Sequence, residues 1–200
     1  MSKKFIKASF YLFVFAGIFL LIAKKQWFPE FYTPWYMGIA SFLSAFMILL
    51  PSFLFPAADA EKKTAVGKIQ ITVAISLILN AGGALGLFEM YKSGIQYDKI
   101  LHFIIPFLFT VNSTSFFSIY YDKPFKKALL ISIILVVIGN FSWKLYEFLS
   151  DTIFKTQSLT NDSSNEILDI AWDLILGFLG IFIACLYLVY DEKAKRKNPQ

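Results

Sequence analysis

Apolar positions run along the chain in long unbroken stretches. Charged and turn-forming residues gather between them and leave six apolar segments, at about 8–23, 34–55, 69–91, 100–121, 128–149 and 167–190. Segments of this size suit helices crossing a hydrocarbon core, which takes about 20 residues. A closed barrel is the other way to satisfy every backbone group in lipid, and it needs alternating strands of about ten residues. Ala128–Ile138 and Leu174–Val189 are instead apolar on every side. The pattern predicts an all-α polytopic membrane protein, a bundle of six transmembrane helices forming one domain over residues 1–200. The first segment follows Lys3, Lys4 and Lys7 as a signal peptide would, but Lys24 and Lys25 close it and no A-x-A-like cleavage site is present. It is read as a span.

Composition agrees. The chain is 57% hydrophobic and 16% charged, with 23 Phe, against about 45–50% apolar residues in soluble domains. Its mean hydropathy is +0.60. The single cysteine, Cys185, excludes an internal disulfide and a Cys-rich zinc site. The net charge of +5 would fit a nucleic-acid partner if it formed one patch, but the basic residues are spread over alternate loops, so no nucleic acid is expected. Alternate loops, the two tails included, hold 13 Lys and Arg against 5 on the other side, with Lys144 inside a span. The positive-inside rule then puts both termini in the cytoplasm of a cell (plasma or inner) membrane. Trp27, Trp35, Trp143 and Trp172 all fall near the outer boundary, where amphipathic rings are favoured. The longest outer connection, about 150–166, is polar and reads as a flexible segment or lid. No internal repeat of the kind many transporters show is visible.

The candidate chemistry lies in the polar residues of the spans, since an ionisable group in hydrocarbon costs roughly 2.5 kcal/mol or more. They are Glu89, Asp98, His102, Lys144, Glu147, Glu166, Asp169 and Asp173. On this topology four helices bring them all toward the outer face: Glu89 ends the third span, Asp98 and His102 open the fourth, Lys144 and Glu147 end the fifth, and the last three open the sixth. Spacing makes stripes of them. Asp98 and His102 are four apart, Glu166, Asp169 and Asp173 run at i, i+3, i+7, and Asn140, Lys144 and Glu147 at i, i+4, i+7, so each set lies on one helical face. Leu174–Tyr190 spans only about 25 Å as a helix, so a roughly 30 Å core reaches back past Asp173.

Structural readings stand beside functional ones. Ser163 and Glu166 fit a capping box, and Asp98 can cap the fourth span. Lys144 can snorkel and pair with Glu147, and a lone His often serves as a helix-packing hydrogen bonder. Glu89 and Glu147 are harder to explain this way, because the dipole at a helix C-terminus disfavours anions, and Asp173 is too deep for a cap. Pro106, four residues after His102, frees the carbonyl of residue 102. Thr110, Asn112, Ser113, Thr114 and Ser115 read as helix-packing contacts or as side chains bonding back to their own helix.

If the stripes converge, six carboxylates (Glu89, Asp98, Glu147, Glu166, Asp169 and Asp173) face Lys144 and His102. Either several are protonated or a cation is bound. Oxygen ligands with at most one imidazole favour Mg, Mn or Ca, with Zn less supported. The candidate metal set is Glu89, Asp98, His102, Glu147, Asp169 and Asp173, with Lys144, Asn140 and Glu166 as further polar residues and His102 or Glu147 as general base.

The strings Tyr97-Asp-Lys-Ile-Leu-His102-Phe103, Leu145-Tyr-Glu147-Phe and Glu166-x-x-Asp169-x-Ala-Trp-Asp173, followed by Gly177 and Gly180, resemble the YjdF-like inner-membrane proteins, a largely uncharacterised family. They are more distantly similar to VanZ-like proteins. The likeness covers about residues 80–183, and it implies a bacterial-type multi-pass membrane protein. VanZ-like members are associated with glycopeptide-antibiotic resistance.

Three functions stay open: a metal-dependent membrane enzyme acting on a lipid-linked or headgroup substrate, a non-catalytic scaffold or resistance factor, and a cation- or proton-coupled carrier. Membrane lipid is the expected partner in each. The inner half of the spans offers no matching ionisable residues for a proton path.

Overall fold

The computed structural model describes residues 2–28, 33–154 and 166–197. Six helices occupy them: α1 (Ser2–Ile22), α2 (Pro34–Leu54), α3 (Ala60–Ala84), α4 (Tyr97–Tyr120), α5 (Phe125–Phe154) and α6 (Glu166–Lys197). All six are long and apolar enough to cross a membrane, and no strand occurs among the described residues. Their surfaces keep the inverted polarity of a chain solvated by lipid: Phe15, Phe53, Leu130 and Phe182 are among the many large apolar side chains left exposed.

Local chemistry sets the ends of these helices. Pro34 opens α2, where its missing N–H would be unpaired anyway. Asp59 caps α3 by accepting from the Lys62 backbone N–H at 2.7 Å. At its other end α3 stops at Ala84 instead of running on to about residue 91, because Gly86 takes φ +124°, which a side chain would resist. A 3₁₀ turn over Leu87–Ser93 follows and closes on Gly94 in the left-handed conformation. Gly83 makes room for this turn: a Cβ there would enter the Phe88 ring.

The helices group as three and three. Within α1–α3 every helix touches the other two, the same holds within α4–α6, and α3 against α4 joins the groups. Ile6, Phe13, Ala45, Ile48 and Ala74 form the core of the first group. Polar contacts pin the seam: Asn112 Nδ2 donates to Thr72 Oγ1 at 2.9 Å, and Tyr97 donates to the Leu79 carbonyl at 2.8 Å. Thr110 and Thr114 instead bond back to carbonyls one turn earlier on α4. A further link between groups joins α2 to α5, where the Tyr36 hydroxyl meets Tyr146 at 2.8 Å and Ser150 at 3.0 Å.

Two glycines set how closely the second group packs. A Cβ on Gly180 would run into the carbonyl oxygen of Phe103, and one on Gly177 into the Asn140 amide. Side-chain-free positions one and two turns beyond Asp173 therefore let α6 approach α4 and α5. That approach places the polar stripes within bonding distance.

Candidate functional site

Three helix ends build the site. The first turns of α4 supply Asp98, Lys99 and His102, the second half of α5 supplies Trp143, Lys144 and Glu147, and the start of α6 supplies Asp169 and Asp173. Asp173 is at the centre and fully buried. Its Oδ1 accepts from Lys99 at 2.5 Å and its Oδ2 from Lys144 at 2.6 Å. Lys144 also donates to Glu147 Oε2 at 2.6 Å, while Trp143 Nε1 donates to Glu147 Oε1 at 2.7 Å. Lys99 bonds Asp169 as well and stands 3.8 Å from Asp98 Oδ2.

His102 bridges the remaining gap. Its Nε2 is 3.5 Å from Asp98 Oδ1 and 3.6 Å from Asp173 Oδ2. Asp98, His102 and Asp173 each offer one ligand atom within 4.8 Å of the other two. Counted formally, four carboxylates face two ammonium groups, which leaves two negative charges when His102 is neutral.

The structure joins Asp98, His102, Lys144, Glu147, Asp169 and Asp173, and it leaves out others. Glu89 is excluded: the break after Ala84 puts it on the 3₁₀ turn, half-exposed and paired with Lys92 at 3.0 Å. There it holds the Lys92 ammonium above its ordinary range by hydrogen bond and charge. The convergence thus involves three helices rather than four. Asn140 lies one turn inward, its buried amide nitrogen without a hydrogen-bond partner and packed on Gly177. The Glu166 side chain, Ser163 and most of the connection expected to act as a lid, residues 155–165, lie outside the described residues.

Lys99 is the residue that sequence reasoning missed. Counted as a loop cation on the outer side, it is a central member of the network. Its signal was present: one residue past Asp98 and three before His102, it belongs to the same helical turn. Trp143 read only as an interface anchor, yet its indole fixes Glu147.

Beside the network lies a cavity of about 340 Å³, lined by Gln96, Lys99, Asp169, Trp172 and Leu176. The network is thereby reached from the flank of α4 and α6.

A family described as Predicted membrane protein (DUF2238) matches residues 5–193. The YjdF-like resemblance is thereby borne out, since those proteins are of the same family. No curated protein and no solved structure matches the chain.

Proposed function

We propose that this chain, which belongs to the DUF2238 family of multi-pass membrane proteins, holds a divalent cation between Asp98, His102 and Asp173 and uses it on the polar end of a lipid-linked substrate at the outer face of the cell membrane. The observation that carries this reading is the spacing about His102. At 3.5 and 3.6 Å its Nε2 is at or beyond hydrogen-bonding range of both carboxylates. Two ligands on one ion are about 3.4 Å apart when the bonds are about 2.1 Å and tetrahedral, or about 2.4 Å and at right angles. Zinc and calcium suit that spacing; magnesium, with octahedral bonds of about 2.1 Å, draws its ligands to about 3 Å. The two uncompensated negative charges supply the electrostatic reason for a divalent ion.

Such an ion polarises a phosphoryl or carbonyl oxygen or activates water. The other residues serve to hold it. Lys99 and Lys144 fix the Asp173 carboxylate from both sides, and Glu147 holds Lys144. Glu147, held by Lys144 and Trp143, stands outside the Asp98, His102 and Asp173 group and serves this reading as the partner of Lys144.

The test is the metal content of detergent-purified protein, with monodispersity checked for each variant. Near-stoichiometric metal in the wild type and in Glu89→Gln, lost from folded Asp173→Asn and His102→Ala, supports the site. Monodisperse wild type without metal overturns it. The bonds from Lys99 and Lys144 to Asp173 also favour a second reading, a scaffold in which the network ties three helices together. That reading predicts loss of folded protein in Asp173→Asn.

A further inference from the structure

We infer that the cavity between the starts of α4 and α6 binds the primary-amine headgroup of a membrane lipid. It is a half-open groove of about 340 Å³, at the small end of ligand sites, about 300–1,000 Å³. Its lining is mixed: Gln96, Lys99, Asp169, Trp172 and Leu176.

Charge decides the sign of the occupant. Among the described residues Lys99 is the only cation lining the cavity, and it is already engaged by Asp169 and Asp173 with Asp98 at 3.8 Å. With Lys144 and Glu147 counted, four carboxylates stand against two ammonium groups, and this excess favours the cationic end of an entering molecule over its phosphate. Asp169 retains 29% of its side-chain exposure beside this space. The indole of Trp172, half-exposed, adds an aromatic face, which attracts cations through its quadrupole.

Hydrogen bonding then selects the kind of cation. The Asp169 carboxylate and the Gln96 carbonyl accept N–H donors, which a primary ammonium has and a trimethylammonium lacks. Attachment to a lipid follows from α6. Trp172, Leu176, Leu179, Ile183 and Leu186 succeed one another at steps of four and three residues and so share one helix face. Trp172, Leu179, Ile183 and Leu186 are exposed along it. An amphiphile with its amine in the cavity lays its acyl chains on this stripe.

The inference rests on the cavity and needs no metal. The experiment titrates the full chain in detergent with short-chain phosphatidylethanolamine, phosphatidylcholine and phosphatidylglycerol, and with glycerophosphoethanolamine, which carries the same headgroup without chains. Binding is measured calorimetrically with and without a chelator. Phosphatidylethanolamine is expected to bind at least tenfold more tightly than the other three, and no more weakly with chelator present. Asp169→Asn weakens it at least fivefold. Leu176→Phe, which fills the cavity and touches no ion pair, does the same and decides the matter if Asp169→Asn fails to fold. Equal affinity for phosphatidylethanolamine and phosphatidylcholine, equally tight glycerophosphoethanolamine, or unchanged binding in Leu176→Phe overturns the proposal. Protein that carries no metal as purified and still discriminates the amine lipid would overturn the ion site and leave this inference standing.

Discussion

Lys99 Nζ lies 2.5 Å from Asp173 Oδ1 and joins α4 to α6 at a carboxylate with no exposed surface. Two residues that look unrelated in sequence, one at the edge of a loop and one inside a span, thus form the central contact of the polar network.

Breaking this contact from one side is expected to be costly. In Lys99→Met the Asp169 carboxylate loses its partner and Asp173 keeps only Lys144, so the loss is expected to fall below the roughly 3–5 kcal/mol of a fully uncompensated buried charge. Thermal unfolding in detergent should show a clear loss in Lys99→Met, and a double variant Lys99→Met with Asp173→Asn should recover part of it. Additive losses would mean that the pair is not coupled.

Helix approach gives a second, sharper comparison. Gly180→Ala places a methyl group against the Phe103 carbonyl, a backbone atom that cannot turn away, and α4 and α6 must separate. Overpacking of this kind costs about 1–3 kcal/mol. Gly139 has nothing within 4 Å of its added Cβ, so Gly139→Ala is expected to be neutral or to stabilise by up to about 1 kcal/mol through helix propensity. Equal melting temperatures for the two variants would contradict the close approach.

Orientation can be read with thiol labelling. In a Cys185→Ser background, Lys92→Cys on the 3₁₀ turn should react with a membrane-impermeant maleimide on intact cells. Lys7→Cys, exposed near the start of α1, should react only after permeabilisation. The reverse pattern would turn the site toward the cytoplasm and remove outer-leaflet substrates from consideration.

Much of this protein is written locally in its sequence. Each run of about twenty apolar residues favours lipid over water by itself, whatever its neighbours do, so the number of helices and their approximate extents follow from counting. The i, i+3, i+7 spacing likewise puts Asp169 and Asp173 on one face of α6 before any packing is known. The tertiary structure alone decided which faces meet. Glu89 looked equal to the other acids, but Gly86 ends α3 early and turns it to Lys92. Lys99 looked like a loop cation, but Gly180 lets α6 come close enough for Asp169 and Asp173 to reach it. Helix formation depends on residues a few positions apart; the charge balance of the site depends on how closely two helices approach, and that distance is fixed where glycines of α6 meet parts of α4 and α5 remote from them in sequence.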